Sequence, residues 1–153
     1  MKKLYIDWDD YQKDIKTLSS IIRTLHEPHL VALYRGSLGM GSHLSNTLNL
    51  PLSIIDYQTR DSLTGDLKLD KTKKPTLIKN AGVVSNQTLV LIDDIYDTGI
   101  TMNQTREYLW TLYPETKVRG FCLYNNNKIS KPNWVRNLHD SEGQWVVFPW
   151  ETV

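Results

Sequence analysis

Two adjacent carboxylates, Asp93 and Asp94, follow directly on an apolar run, Leu89-Val90-Leu91-Ile92, within the stretch TLVLIDDIYDTGIT at residues 88–101. A polar turn, Asp97-Thr98-Gly99, comes next, and then a helical pattern begins. Carboxylates accept hydrogen bonds from hydroxyls and stabilise positive charge that develops nearby in a reaction. A strand-to-helix turn gathers unpaired backbone N–H groups at the positive end of a helix dipole, which suits an anion. A ligand carrying both hydroxyls and a phosphate, a sugar phosphate, satisfies both halves. A buried strand ending in a polar turn without a ligand is the plainer alternative.

Further residues could share that chemistry. Tyr34-Arg35-Gly36-Ser37-Leu38-Gly39-Met40-Gly41-Ser42 places three glycines after an apolar run and before a helix. Glycines there let backbone approach a ligand closely, although a turn with no ligand reads the same way. The spacing is GxxGxG, so it is not the dinucleotide fingerprint, and no lysine completes a P-loop. His26 and His29 form an HxxH pair without further ligands, and Pro28 breaks any shared helical face, so a metal site is not expected. His43 reads as a surface or interface residue. The tail Gln144–Glu151, QWVVFPWE, sets aromatic rings beside a carboxylate. That suits a planar heterocycle, or a flap that only covers the core.

The elements that must position these residues alternate along the chain. Tyr11, Ile15, Leu18, Ile22 and Leu25 recur at three and four residues, an apolar helical stripe that Pro28 ends. Leu30–Leu33 and Leu52–Tyr57 read as strands, with a helix between them carrying Met40, Leu44 and Leu48 and stopped by Asn49 and Pro51. After the acidic motif come a helix with Met102, Thr105, Leu109 and Leu112, ended by Pro114, and a strand from Val118 to Tyr124. Such alternation predicts an α/β fold with a mainly parallel central sheet, whose ligands sit at the carboxyl ends of strands. Both the glycine loop and the acidic motif fall at such ends. Residues 58–87 are charged and turn-rich, with basic Lys71, Lys73 and Lys74, and read either as a mobile lid or as a solvated hairpin.

The stretch VLIDDIYDTGIT resembles the signature by which type I phosphoribosyltransferases bind 5-phosphoribosyl 1-pyrophosphate (PRPP). Arg35-Gly36-Ser37 is similar to the pyrophosphate loop of the purine enzymes, commonly Arg-Gly-Gly or Lys-Gly-Gly, and departs from it at the third residue. The tail resembles the hood of the compact xanthine-guanine phosphoribosyltransferases, which end in W-x-x-x-P-W-[DE], and the arm YIDWDDY looks like their start. The resemblance implies one type I phosphoribosyltransferase domain over residues 1–153, with a lid near 58–87 and a small base-binding hood near 126–153. It implies transfer of phosphoribosyl from PRPP to guanine, xanthine or hypoxanthine, giving the nucleoside monophosphate and pyrophosphate in purine salvage, with Mg²⁺ held mostly by the substrate.

The site residues follow by position. The resemblance assigns PRPP to Arg35, Gly36 and Ser37, to Asp93 and Asp94, and to the turn Asp97, Thr98, Gly99, Ile100 and Thr101. It gives Asp97 the proton from purine N7, with Asp93 and Asp94 also catalytic. It puts Trp145, Val146 and Glu151 at the base, and Asp94 and Glu151 weakly at the metal. A cis peptide is implied at Arg35–Gly36. The family's lysine at purine position 6 has no match: Asn126 falls there, Lys128 is the nearest lysine, and the choice between them stays open, as does the preference between 6-oxo and 6-amino rings.

Composition sets the remaining bounds. A net charge of +1 gives no field that points to nucleic acid or a membrane. No apolar run reaches the ~20 residues of a membrane span. The N-terminus lacks the apolar stretch of a secretory signal, and the one cysteine, Cys122, suits a reducing compartment, so a cytoplasmic protein is expected. Family resemblance implies a homo-oligomer, dimer or tetramer. Two other readings share the motif: a regulator that senses PRPP or nucleotides, and an enzyme of the same fold acting on another base.

Overall fold

The computed structural model describes residues 2–57, 60–61, 66–69, 72–83, 85–128 and 132–151. A short strand β1 (Lys3–Tyr5) leads to helix α1 (Trp8–Ile22). Asp7 caps that helix: its carboxylate accepts the Asp10 amide at 2.8 Å, and Asp10 reaches back to the Asp7 amide. Tyr11, Ile15, Leu18 and Ile22 form the buried stripe. The helix stops at Ile22, ahead of the expected break, and Pro28 instead opens strand β2 (Pro28–Tyr34).

Helix α2 (Leu38–Leu48) follows and ends where Asn49 turns left-handed at φ 52°. Strand β3 (Leu52–Asp56) comes next. The span read as either a mobile lid or a solvated hairpin contains three strands among its described residues. Strands β4 (Arg60–Asp61) and β5 (Asp66–Leu69) pair antiparallel, whereas β6 (Thr76–Lys79) runs antiparallel along β3 as part of the main sheet. The Tyr108 hydroxyl accepts the Leu77 amide at 2.9 Å and helps to hold β6 there. Lys71 of the basic tip lies outside the described residues.

Strand β7 (Thr88–Tyr96), helix α3 (Ile100–Leu112) and strand β8 (Lys117–Asn125) complete the centre. Strand β9 (Val135–Asp140), absent from the sequence reading, extends the sheet, and β10 (Trp145–Val147) precedes a short 3₁₀ turn at Pro149–Glu151. The six-stranded order is β6-β3-β2-β7-β8-β9, parallel throughout except for β6.

The apolar run of β7 supplies both faces of this sheet by simple alternation. Val90 and Ile92 enter one core with α1, α2 and Phe148. Leu89 and Leu91 enter a second core with Met102 and Leu109 of α3. All four side chains are fully buried, each contributing roughly 1.5–3 kcal/mol. A strand covered on both sides has no polar face, which is why it reads as an unbroken apolar run.

Two features of this frame place the site. β2 and β7 are neighbours in parallel register, with Ala32 opposite Ile92, so the loop after β2 and the acids at the end of β7 emerge side by side. β1 pairs with β10 in parallel, Leu4 opposite Val146, so the amino-terminal arm straps the carboxyl-terminal hood over the same edge. Among the described residues no helix is long and apolar enough to cross a membrane.

Candidate active site

Asp93 and Asp94, ahead of Ile95 and Tyr96, lie in the last half of strand β7. Their side chains fold back on the backbone: Asp93 Oδ1 accepts the Asp94 amide at 3.0 Å, and Asp94 Oδ1 accepts the Ile95 amide at 2.8 Å. Burial drives the Asp93 carboxyl well above the usual carboxylate range, with the Asp94 charge adding to the rise. Asp94 is pushed up to about 6, again mainly by burial, with Glu151 contributing. Two acids crowded together favour a ligand that supplies hydroxyl donors or positive charge. Cys122 lies opposite Asp93 on β8, fully buried. Burial and the neighbouring acids push its thiol up, so it stays protonated and packs as a small apolar residue.

The glycine loop rises against these acids. A Cβ built on Gly36 would come within ordinary contact distance of both carboxylates, and Arg35 beside it is exposed. Gly41 serves a different purpose: a Cβ there would meet Ala32 Cβ at 2.7 Å, so it lets α2 sit close on β2. The cis peptide is at Tyr34–Arg35 and not at Arg35–Gly36. Strand β2 ends at Tyr34, so the cis bond is the first peptide after the strand. Ser37 is fully buried. Its hydroxyl accepts the Leu33 amide at 2.8 Å and donates to the Ile92 carbonyl at 2.7 Å, and its own amide donates to the Leu33 carbonyl at 3.0 Å. Ser37 therefore ties β2 to β7 and spends its polar groups on the protein.

The Asp97–Thr101 turn begins α3. Gly99 stands at φ +84°, and a Cβ on it would collide with the Tyr96 phenol, so no other residue fits. The N-cap, Gly99, has no side chain to cap the helix, and Thr98 Oγ1 accepts the Ile100 amide at 3.3 Å. The first turn lies at the positive end of the helix dipole, which suits an anion.

Two cavities flank this edge. One, of about 160 Å³, is bordered by Asp97, Thr98, Gly99, Thr101, Asn126, Trp145 and Val146, together with Ile95, Tyr96, Met102 and Gln144. It brings the Asp97–Thr101 turn and strand β10 into one space. The other, of about 520 Å³, holds Arg35, Gly36, Asp94 and Glu151 between α1, α2 and Trp150. Glu151 stands here and not in the first cavity, and its Oε2 accepts the Phe148 amide at 2.8 Å. Lys128 borders neither cavity. Its ammonium lies over the turn before β10, where a Cβ on Gly143 would be 3.1 Å away.

The two tail tryptophans separate. Trp145 borders the first cavity, whereas Trp150 stacks on Phe148 at 4.7 Å and meets Tyr11 edge-on at 5.2 Å, docking the hood on α1. His29 is fully buried on Ser53 at 2.7 Å and His26 is exposed; among the described residues no group of three metal-binding side chains occurs. His43 is exposed and tilts against Tyr11. Ser141, which sequence reasoning missed, is buried beneath Asn126 and bonds to it. A lone serine in a polar stretch carries no signal of that contact.

Known proteins share this fold. The chain aligns over its full length, and over 96% of the partner, with the crystal structure of a purine phosphoribosyltransferase from Pyrococcus horikoshii at 24% identity and a TM-score of 0.76. A xanthine-guanine-hypoxanthine phosphoribosyltransferase from Helicobacter pylori aligns over 98% of this chain and 94% of its own, at 19% identity and a TM-score of 0.77. An adenine phosphoribosyltransferase from Thermoanaerobacter pseudethanolicus aligns over 86% and 81%, at 16% identity and 0.63. These likenesses are of fold, and the fold serves more than one base. Residues 7–152 match the phosphoribosyl transferase domain, and the chain belongs to that family of enzymes.

Proposed function

We propose that the protein transfers the 5-phosphoribosyl group of PRPP to a 6-oxopurine, guanine, xanthine or hypoxanthine, as a purine-salvage enzyme. The observation that carries this reading is the shared cavity: the Asp97–Thr101 turn and the Trp145–Val146 face of the hood border one space. A nucleoside monophosphate has its phosphate and its base at matching ends.

The roles follow from chemistry and position. The 5′-phosphate sits at the amino-terminal end of α3, held by backbone N–H groups and by the Thr98 and Thr101 hydroxyls. Asp93 and Asp94 accept the ribose hydroxyls, and their charge favours the positive ribose ring that forms as pyrophosphate leaves. Gly36 and Arg35 receive the pyrophosphate. The bond from C1 to the pyrophosphate oxygen breaks, purine N9 bonds to C1, and Asp97 takes the proton from N7. Trp145 stacks on the base, and the backbone of Val146 meets its edge.

The family implies Mg²⁺, which when bound neutralises the pyrophosphate. Asp94 and Glu151 share a cavity and offer oxygen ligands, but only as a pair, which fits an ion held mainly by substrate phosphates.

The test is a panel of hypoxanthine, guanine, xanthine and adenine with PRPP and Mg²⁺, read by pyrophosphate release, with Asp97→Asn alongside. Turnover of 6-oxopurines, lost by ~10²-fold or more in Asp97→Asn with PRPP binding retained, is the expected result. No turnover of any purine would sink the proposal, and unchanged turnover in the variant would remove Asp97 as the base.

A further inference from the structure

We infer that Ser141 and Asn126 form a hydrogen-bonded chain to Asp97 that fixes the Asn126 amide and thereby makes the cavity select a 6-oxo over a 6-amino ring. The inference rests on the purine reading above and goes beyond it by naming what sets the choice of base.

The chain is read from one end. An ionised carboxylate only accepts hydrogen bonds. Asn126 Nδ2 lies 3.3 Å from Asp97 Oδ1, so the amide must turn its nitrogen end toward Asp97. Its oxygen end then points the other way, to the Ser141 hydroxyl at 2.8 Å. A hydroxyl has one proton to give, and the second acceptor near it, the Asn125 carbonyl at 3.4 Å, is the farther one. Ser141 therefore donates to Asn126 Oδ1. Both assignments agree, and each enforces the other.

The backbone holds the chain in place. The Asn126 amide donates to the Tyr96 carbonyl at 2.9 Å, one residue before Asp97, and the Ser141 amide donates to the Asn125 carbonyl at 3.0 Å. Ser141 is 1% exposed, so water cannot readily replace its hydroxyl. Flipping the amide would set its oxygen against a carboxylate and its nitrogen against a hydroxyl that must then find another acceptor.

The consequence lies in the cavity. An amide nitrogen carries two hydrogens. One is spent on Asp97; the other has no partner among the described residues, and Asn126 borders the cavity. The site thus offers a fixed neutral donor, where Lys128 is turned away over Gly143. A carbonyl at position 6 accepts from that donor. An amino group there presents hydrogen to hydrogen and leaves both unpaired, a mismatch that a locked amide cannot relieve by rotating. Asn126 and Ser141 are positioning residues for Asp97 as well, since the same bond steadies the proton acceptor.

The decisive measurement is the ratio of kcat/KM for hypoxanthine to that for adenine, in the wild type and in Ser141→Ala, Ser141→Thr and Asn126→Ala. Dissociation constants of IMP and AMP, which require no turnover, are measured in parallel. The wild type is expected to favour hypoxanthine and IMP. Ser141→Ala is expected to shrink the ratio about tenfold or more, Ser141→Thr to restore it, and Asn126→Ala to shrink it independently. General loosening of the fold would lower both bases together and leave the ratio alone. If Ser141→Ala does not fold, Asn126→Ala decides. A wild type active on purines whose ratio survives both Ser141→Ala and Asn126→Ala overturns this inference and leaves the purine reading standing. A wild type that prefers adenine overturns it as well. A wild type with no purine activity and no affinity for IMP or AMP overturns the reading itself, and this inference with it.

Discussion

Gly36 faces the Asp93 carboxylate so closely that a methyl group built on its α-carbon would stand 3.7 Å from Asp93 Oδ1 and 3.9 Å from Asp94 Oδ2. The glycine loop after one strand and the acids near the carboxyl end of its neighbour thus close on a single space. The parallel pairing of β2 with β7 brings them there.

That spacing separates two glycine substitutions. Gly36→Ala meets only ordinary van der Waals contacts, so the fold should melt within a degree or two of the wild type. Its methyl group would nonetheless occupy the space between loop and acids, and the KM for PRPP should rise several-fold. Gly41→Ala should do the reverse. Its Cβ collides with Ala32, and overpacking of that kind costs typically ~1–3 kcal/mol. Thermal melts beside PRPP kinetics check both. A Gly36→Ala enzyme with unchanged PRPP kinetics would remove that residue from the pyrophosphate site.

The acid pair predicts an unusual pH response. Asp94 is raised to about 6 from an ordinary value of 3.8, so between those pH values the folded state holds more protons than the unfolded chain. Stability from this source is therefore highest at low pH and declines as pH rises through the window. Asp94→Asn should melt higher than the wild type at neutral pH, by roughly 1–2 kcal/mol or a few degrees, with turnover largely lost. His29, lowered by burial, has the opposite sign, losing stability as pH falls below its ordinary value of 6.5. Comparing wild type with Asp94→Asn cancels that contribution. Melting curves that differ by a constant amount across about pH 4–7 would show that Asp94 is not the group responsible.

The two tail tryptophans should fail differently. Trp145 borders the cavity, so Trp145→Ala should raise the purine KM about tenfold while PRPP affinity holds. Trp150 is packed on Phe148 and Tyr11 at 39% exposure, so Trp150→Ala should lower stability by ~1–3 kcal/mol and loosen the hood as a whole. Purine and PRPP kinetics, set beside melting temperature, distinguish the two. Equal loss of purine and PRPP affinity in Trp145→Ala would make the tail purely structural.

Much of this was legible where one residue type answers to one local demand. The run Leu89–Ile92 has no polar position, and only a doubly covered strand tolerates that. Gly99 marked the sharp turn, and Asn49 and Pro51 the end of α2. What stayed hidden depends on partners distant in sequence. β1 and β10 are three residues each and meet only because the chain returns on itself. β9, with the sequence VRNLHD, carries no clean alternation, because an edge strand beside α1 is only half covered. The Ser141–Asn126 bond spans 15 residues of polar chain, and no local pattern encodes it.

Ser37 is where resemblance and structure invite opposite experiments. The resemblance to Arg-Gly-Gly loops suggests that Ser37→Gly would restore a better pyrophosphate loop. The structure argues against it. Ser37 Oγ bridges the Leu33 amide and the Ile92 carbonyl in a fully buried position, joining β2 and β7 where the loop and the acids begin. Glycine would leave both backbone groups without that partner, at ~1–3 kcal/mol, and would free the loop that faces Asp93. Ser37→Gly should therefore melt several degrees lower, with PRPP KM increased and purine KM nearly unchanged. Thermal denaturation and PRPP titration decide the matter: a variant as stable as the wild type, with PRPP binding improved, would show that the loop wants a glycine here and that the serine bridge contributes little.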